Sequence, residues 1–516
     1  MANITVGTSL SALWALAWPA ILRNTLNCAS DRATLIFVGH WDDSRAHYDG
    51  AGLGKMYSNI TGLSLGFGLV LGLSTLCSQA YGSGRAHIEN GLHLRRCCVL
   101  LGGMLIFSAF AAAFCQPVLT ALGQPGDVAA ASARYAQLQA LGVPFYWLAN
   151  ALATSCDSVQ CTRPGLYANA CGAVVQLGLS ALMVHPRGFG WGYLGMAAAR
   201  SAGGTVTFGL MVLAIQKHGL APLIWAYDRH KAPPVLQGSS LCHYLRITLP
   251  AALVMWCEWW AFEALSLIVG TLPKPQIRLG AHGTMFNALV VTYMFFTGLG
   301  AALCALTGKA IGERNGGIVP RLCLLASAMA TSMSLAIGAA FFVLCVPLAR
   351  LFTADNAIVH EVSSAMLGAS LSVPGYALFM TLFGALRGAG KQSVAAVGIA
   401  MGYGIGLPLA YVLGNVLRWP APLLGCWLGN AAALAIAAVW SVSAVSALDW
   451  RRCSPAVVHT PVSQAQAFLD AMPVSPSPHP VAVPHAVPPC VAEHMPAIEP
   501  LHGSECSLRT NAPAAQ

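Results

Sequence analysis

The stretch Cys257-Glu258-Trp259-Trp260-Ala261-Phe262-Glu263 places two carboxylates and two tryptophans in otherwise apolar surroundings. Charged groups are costly inside an apolar membrane helix, and those that occur there usually serve a function. A carboxylate held away from water can bind either a proton or an organic cation, because desolvation penalises its free charged form. The aromatic faces of Trp259 and Trp260 add an attraction for cations. We therefore expect Glu258 to exchange a proton for a cation; the alternative is a structural glutamate fixed by hydrogen bonds to a neighbouring helix.

The composition predicts that the elements around these residues are membrane-spanning helices. Hydrophobic residues make up 56% of the 516-residue chain and charged residues 9%, whereas soluble domains carry roughly 25% charged residues. A helix needs about 20 apolar residues to cross the hydrocarbon core. We expect an all-α integral membrane protein with twelve transmembrane helices. The apolar stretches are residues 13–38, 53–77, 97–122, 135–156, 166–184, 192–215, 245–271, 281–306, 322–347, 362–386, 394–414 and 422–446.

An internal repeat divides these stretches into two sets of six. Pro19-Ala20 recurs as Pro250-Ala251 at an offset of 231 residues, and Val143-Pro144 recurs as Val373-Pro374 at an offset of 230. Because six is an even number, both halves enter the membrane in the same direction, which predicts two parallel six-helix repeats. The expected domains are a first lobe, an inter-lobe linker, a second lobe and a tail whose Pro- and His-rich composition predicts disorder. Their bounds are 1–216, 217–244, 245–447 and 448–516.

The distribution of positive charge predicts the orientation in the membrane. The net charge is +9, with fifteen Lys and Arg residues in loops after even-numbered stretches and eight, Lys55 among them, in loops after odd-numbered stretches. This asymmetry places the even-numbered loops and both termini in the cytoplasm. It also explains the basic charge without a nucleic-acid partner. The plasma membrane and an organelle membrane both remain open as the location.

Several motifs resemble those of multidrug and toxic compound extrusion (MATE) transporters. Residues 59–69 and 74–82 are similar to the second span of that family, and the Glu258-Trp259-Trp260 run looks like the seventh-span signature of its eukaryotic branch. The resemblance covers roughly residues 10–446. It implies a two-lobed, V-shaped antiporter that exports organic cations against an inward flow of protons.

Glu263 and Asp31 are further candidates for proton coupling. Glu263 lies five residues after Glu258, a rotation of about 140° that puts the two carboxylates on different helix faces. At the repeat offset Glu263 corresponds to Arg32, and we expect an ion pair between them across the lobes, which leaves Glu263 either structural or functional. Asp31 is suggested because prokaryotic members of the resembled family carry an acid in this span, although that acid corresponds to Thr34 here.

Substrate binding is expected from aromatic and amide side chains in the central spans. Asn287 and Tyr376 stand where the resembled family has acids, so we expect a weaker attraction for dications than that family shows. Polar packing between helices is the alternative role for each of these side chains. The candidates for substrate binding are Trp259, Trp260, Asn59, Asn287, Tyr293 and Tyr376.

The sequence predicts a transporter and not an enzyme. It contains no P-loop, no G-x-S-x-G motif and no zinc-ligand spacing, so we expect no catalytic residues, no cofactor and no metal. Energy should then come from an ion gradient, with protons favoured over sodium because no cluster of oxygen ligands accompanies Glu258.

The expected partners are a small-molecule substrate, in the first instance an organic cation, and the lipid bilayer, with a monomer as the transport unit. Two other functions remain open. One is a flippase-like relative that moves a lipid-linked substrate, which should show a strongly basic cavity. The other is a non-transporting receptor or scaffold that acts through its tail.

Overall fold

The computed structural model describes residues 6–42, 44–228, 233–417 and 421–453, and all regular secondary structure within them is helical. Helices are what this composition dictates, because inside hydrocarbon each backbone N–H and C=O must find its partner within the segment. Ten helical segments are long and apolar enough to cross a membrane. The first helix and the pair α6–α7 complete the twelve spans, so the predicted all-α membrane architecture is confirmed.

The first lobe contains nine helices that form six spans. A π-helical turn at Asn59–Leu63 joins α2 to α3, and short breaks separate α4 from α5 and α6 from α7. The helices are α1 (Val6–Trp41), α2 (Arg45–Ser58), α3 (Ser64–Gly82), α4 (Ala86–Ala113), α5 (Cys115–Ala121), α6 (Gly126–Ala140), α7 (Val143–Ser158), α8 (Arg163–Val184) and α9 (Tyr193–Lys217).

The second lobe repeats this order after a short connecting helix. The segment α2–α3 ends at Gly82 and its counterpart α12 ends at Gly312, which is the offset of 230 expected from the sequence. The remaining helices are α10 (Ala221–Ile224), α11 (Gly238–Gly270), α12 (Pro275–Gly312), α13 (Val319–Val343), α14 (Cys345–Phe352), α15 (Asn356–Gly388), α16 (Gln392–Tyr411) and α17 (Pro422–Ala447).

Each lobe has its own hydrophobic core, and the two lobes exchange parts of one helix each. Leu13 and Ala17 of α1 pack in the core of the second lobe, while Tyr244 and Ile247 of α11 pack in the core of the first. Burial of Tyr244 explains why α11 already begins at Gly238, inside the segment expected to be linker. The expected tail lies outside the described residues from position 454 onward.

Candidate functional site

Glu258 lies on the inward face of α11, where it is only 8% exposed. The hydroxyl of Tyr376 on α15 donates a hydrogen bond of 2.8 Å to Glu258 Oε1. Among the described residues, no Lys, Arg or His forms an ion pair with this carboxylate. The site therefore presents a buried acid that is stabilised by one neutral hydrogen-bond donor and not by a cation among the described residues.

Tyrosines from three helices surround this carboxylate. The rings of Tyr293 on α12 and Tyr376 stack with centroids 3.8 Å apart, and the Tyr293 hydroxyl shares a hydrogen bond of 2.9 Å with Ser372. Tyr403 on α16 is buried within electrostatic range of Glu258, and its hydroxyl has no hydrogen-bond partner among the described residues. The structure thus brings the predicted residues Glu258, Tyr293 and Tyr376 together.

An aromatic wall continues from the tyrosines toward α11. Phe262 lies 6.1 Å from Tyr293 and 4.9 Å from Phe286, measured between ring centroids. His282 stacks against Phe286, and its Nε2 lies 3.0 Å from Ser266 Oγ. Aromatic faces next to a carboxylate are a favourable environment for an organic cation.

Asp31 occupies a different kind of site, in the first lobe. Arg200 Nη2 donates to Asp31 Oδ2 over 2.7 Å, and Gln176 Nε2 donates to Asp31 Oδ1 over 2.9 Å. Lys55 Nζ donates to the backbone carbonyl of Asp31 over 2.7 Å and lies 4.0 Å from its carboxylate. Asn59 belongs to the same cluster, because Arg200 Nη1 donates to its side-chain oxygen over 3.4 Å. Asp31 is thus an ion-paired carboxylate, in contrast to Glu258.

A comparison with known protein families identifies the family of this chain. The family model described as MatE matches residues 19–182 and 250–412, one match in each repeat. The chain belongs to the MATE family. Members of this family are transporters and not enzymes, so the protein is an integral, multi-pass membrane transporter that acts on small molecules.

Curated relatives from animals and plants match most of the chain. Multidrug and toxin extrusion protein 2 of Oryctolagus cuniculus is 27% identical over 464 residues, which cover 85% of this chain and 71% of the relative. Protein DETOXIFICATION 52 of Arabidopsis thaliana is 24% identical over 448 residues, with coverage of 86% and 85%. The predicted resemblance to the eukaryotic branch is confirmed.

A solved structure confirms the MATE fold. The eukaryotic MATE transporter AtDTX14 superposes with a TM-score of 0.80 at 22% identity, covering 90% of this chain and 99% of that chain. A MATE structure in complex with MaD3S superposes with a TM-score of 0.73 at 18% identity, covering 85% of this chain and 96% of that chain. The two-lobed architecture expected from the repeat is therefore the architecture of this MATE protein.

Trp260 is separated from the other predicted site residues of this MATE protein. It is 62% exposed and lies in an apolar stripe with Leu253 and Leu267, which are 46% and 75% exposed. Because Trp260 follows Glu258 by two residues, the helix rotates by about 200° between them and points the indole away from the carboxylate. Trp259 is half-buried and lies about 100° around the helix from Glu258.

Glu263 of the second lobe and Arg32 of the first interact without the close ion pair expected for them. Arg32 lies over the ring of Phe286, 5.7 Å from its centroid, and interacts with Glu263 electrostatically. No ion pair within 4.0 Å joins Arg32 to Glu263 in the described part of the chain. The two side chains therefore interact at a longer range than the predicted ion pair. Asn287 is half-buried on α12.

Several residues of the MATE site were missed by sequence reasoning. Lys55 was counted as a loop cation, but it is a buried residue of α2, because the ion cluster around Asp31 offers it a carbonyl and a carboxylate. Tyr403 and Ser372 were not singled out, since a lone hydroxyl in an apolar span resembles ordinary helix packing. The signal that could have found Lys55 and Arg200 is their position inside apolar stretches, where an unpaired cation is costly.

The lobes of this MATE protein meet tightly where α3 and α12 end. Gln79 Nε2 and Thr75 Oγ1 each donate a hydrogen bond of 2.8 Å, to the carbonyl oxygens of Gly388 and Arg387 respectively. Gln392 Nε2 in turn donates to Thr75 Oγ1 over 2.8 Å. The bond from Gln79 satisfies the Gly388 carbonyl at the C-terminus of α15, whereas the Arg387 carbonyl also accepts a hydrogen bond from the backbone N–H of Gly390. We call this junction the lobe clasp.

Proposed function

We propose that this protein exports organic cations, or other xenobiotics and metabolites, in exchange for protons by alternating access. The observation that carries the proposal is the environment of Glu258, a buried carboxylate that accepts a hydrogen bond from Tyr376 and forms no ion pair with a cation in the described part of the chain. A carboxylate without a neighbouring cation can be neutralised either by a proton or by a cationic substrate. Competition between these two ligands is the requirement for antiport.

Glu258 is the proposed coupling residue, and the two other acids have lesser roles. Asp31 is held by Arg200, Gln176 and Lys55, so proton binding there would have to break an existing ion pair. Glu263 lies between the lobes near Arg32 and remains a secondary candidate. Tyr293 and Tyr376 supply the aromatic surface for the substrate, with Trp259 beside them.

Protons are proposed as the coupling ion in preference to sodium. Sodium binding needs several oxygen ligands around one position. Among the described residues, the hydrogen-bond partner of the Glu258 carboxylate is the hydroxyl of Tyr376, which is a donor and not a cluster of oxygen ligands. A single carboxylate with a tyrosine donor is sufficient for a proton.

The lobe clasp supports alternating access as the route of transport. Its residues belong to loops and helix ends that follow even-numbered spans, so the orientation proposed from the positive charges puts the clasp on the cytoplasmic side, with both termini. Water molecules can replace the hydrogen bonds of the lobe clasp when the lobes separate. Each such bond contributes only about 0.5–1.5 kcal/mol net to stability. The proposed cycle opens and closes this junction, with a monomer as the transport unit.

The decisive experiment measures uptake of a fluorescent organic cation into proteoliposomes under an imposed pH gradient. Wild type should accumulate the cation, and Glu258→Gln should lose accumulation because a neutral amide cannot exchange a proton for a cation. Asp449→Asn is the matched control, since Asp449 is an exposed acid paired with Arg452. Equal accumulation by wild type and Glu258→Gln would remove Glu258 from the mechanism.

The receptor or scaffold alternative is tested in the same assay by deleting residues 451–516. A transporter should keep gradient-driven accumulation without this segment, whereas a protein that works through its tail should show none with or without it.

A further inference from the structure

We propose that Trp256 is a positioning residue that links the state of Glu258 to the first lobe. Its indole N–H donates to the carbonyl of Ser64, the residue that directly follows the π-helical turn at Asn59–Leu63. We call this turn the π turn. Through this bond the first lobe responds when a proton or a cation neutralises Glu258. The roles of proton and cation rest on the transport function proposed above, whereas the contact between Trp256 and the π turn does not.

One turn of α11 faces both lobes. Glu258 follows Trp256 by two residues, a rotation of about 200°, so the two side chains extend from nearly opposite sides of the helix. Trp256 contacts α3 of the first lobe, where its Nε1 lies 3.3 Å from the Ser64 carbonyl oxygen. Glu258 contacts Tyr376 of the second lobe. A displacement of α11 at one of these contacts therefore changes the other.

Close packing holds this face of α11 against α3. Thr248, Ala252 and Trp256 are spaced by four residues, so they share one face of the helix. A Cβ at Gly72 of α3 would overlap Thr248, and a Cβ at Gly68 would overlap Ala252. Because these glycines lack side chains, the two backbones approach closely and the indole of Trp256 reaches the start of α3.

Two tryptophans hold the π turn, one from each lobe. Trp147 Nε1 on α7 donates to the carbonyl of Leu63 over 3.3 Å, and Trp256 Nε1 on α11 donates to the next carbonyl, that of Ser64, over the same distance. A carbonyl oxygen has two lone pairs, so it can accept an indole N–H in addition to a helical partner. The chain therefore contains two equivalent bonds, of which only the one from Trp256 begins on the helix that carries Glu258.

The π turn also contacts the ion-paired acid of the first lobe. Asn59, its first residue, accepts a hydrogen bond of 3.4 Å from Arg200 Nη1, and Arg200 Nη2 is paired with Asp31. A continuous series of contacts thus runs from Glu258 across α11 to Trp256, and through the π turn to Asp31. Helical turns of the π type occur frequently at functional sites.

The first test is a double-mutant cycle, measured by hydrogen–deuterium exchange in residues 57–66 of the purified full-length protein. Glu258→Gln mimics the neutralised acid, and Trp256→Phe keeps an aromatic ring but removes the N–H donor. Trp147→Phe is the matched control, since it removes the equivalent bond within the first lobe. Each Phe variant alone should accelerate exchange about two- to tenfold, as expected for the loss of one hydrogen bond. Glu258→Gln should change the exchange in wild type and in Trp147→Phe, and it should have no effect in Trp256→Phe.

Gly68→Ala replaces Trp256→Phe in the cycle if the latter does not fold. The added Cβ would overlap Ala252, so it separates α11 from α3 without altering the indole. This variant should also make the π turn insensitive to Glu258→Gln. An effect of Glu258→Gln that persists in the folded variant, or that is absent from wild type, would overturn the link.

Uptake of a fluorescent organic cation into proteoliposomes separates this inference from the proposed function. Trp256→Phe should leave the dissociation constant of the cation unchanged, because Trp256 extends away from Glu258. It should lower the maximal rate of gradient-driven uptake by about two- to tenfold, in proportion to the hydrogen bond lost, and Trp147→Phe should not. If wild type shows no uptake but the cycle gives the expected result, the transport proposal fails and the link stands. If uptake is lost in Glu258→Gln but the cycle shows no coupling, the link fails and the transport proposal stands.

Discussion

Gln79 in the first lobe and Gly388 in the second are joined by a hydrogen bond of 2.8 Å. A second hydrogen bond runs in the opposite direction, from the repeat counterpart of Gln79 in the second lobe to the first lobe. Lys309, which corresponds to Gln79 at the offset of 230, donates from Nζ to Gln160 Oε1 over 3.2 Å. Gln160 follows α7 in a left-handed conformation with φ of 62°, and its counterpart Gly390 follows α15 with φ of 73°. Gln79 and Lys309 therefore have corresponding roles, because each extends to the helix end of the opposite lobe.

Close helix packing at the lobe clasp predicts that a single added methyl group will weaken it. A Cβ at Gly308 would overlap Ser78 of the opposite lobe, while a Cβ at Gly283, on the same helix α12, would meet nothing within 4 Å. Overpacking typically costs about 1–3 kcal/mol. Gly308→Ala should accelerate hydrogen–deuterium exchange in residues 75–82 and 386–392, and Gly283→Ala should not. Identical exchange in the two variants would show that the clasp does not limit opening.

The hydrogen bond from Tyr376 predicts the pH dependence of cation binding at Glu258. Protons compete with the cation, so binding of a permanently charged cation should fall as the pH falls. The hydroxyl of Tyr376 favours the charged carboxylate, and a hydrogen bond to a charged group contributes about 1.5–3 kcal/mol. Since 1.36 kcal/mol corresponds to one pH unit, Tyr376→Phe should raise the pH of half-maximal binding by about one to two units.

Fluorescence titrations with a permanently charged dye across the pH range measure this shift. Tyr411→Phe is the control, because Tyr411 is 48% exposed whereas Tyr376 is buried. In Glu258→Gln the binding should no longer depend on pH in this range. A midpoint unchanged by Tyr376→Phe would mean that the hydrogen bond does not stabilise the charged form.

Two ion pairs of different burial predict different losses of stability. Arg23 Nη2 and Asp157 Oδ2 lie 2.8 Å apart with side chains 8% and 11% exposed, whereas Arg452 and Asp449 are 88% and 55% exposed. Removing one partner of a buried pair typically costs about 3–5 kcal/mol, and exposed pairs contribute at most about 1 kcal/mol. Asp157→Ala should lower the melting temperature in detergent clearly, and Asp449→Ala should leave it nearly unchanged. Similar melting temperatures would contradict a clamping role for the Arg23–Asp157 pair.

The two adjacent tryptophans should differ in their effect on substrate affinity. Trp260 lies in the exposed apolar stripe of α11, so Trp260→Ala should change the dissociation constant of an organic cation by less than about twofold, the lower end of a cation–π contribution. Trp259 is adjacent to Glu258 in the sequence. A cation–π interaction contributes about 0.5–2 kcal/mol, so Trp259→Ala should weaken the binding of an organic cation by about two- to thirtyfold. Calorimetric titration measures the dissociation constant for each variant. A larger loss of affinity in Trp260→Ala than in Trp259→Ala would place the substrate on the opposite face of α11.

The candidate site was predictable in part. Glu258 stood out because a carboxylate in an apolar span is costly. Tyr376 was found through its position in the resembled family, and Tyr293 as an aromatic side chain of the central spans. The ion cluster around Asp31 was not predicted, because Lys55, Gln176 and Arg200 come from three different spans. Their meeting depends on how α1, α2, α8 and α9 pack, and no local pattern encodes that packing.

The sequence by itself determined the class of protein, the number of spans, the repeat and the family. These properties depend on the hydrophobicity of whole segments and on correspondences along the chain, both of which are linear. The tertiary structure alone decided which face of each helix meets which neighbour. A spanning helix is apolar on the sides that contact lipid and on those that contact other helices, so its sequence does not fix its rotation. For that reason only the folded protein could bring Tyr376 to Glu258, 118 residues away along the chain, and point Trp260 to the other side.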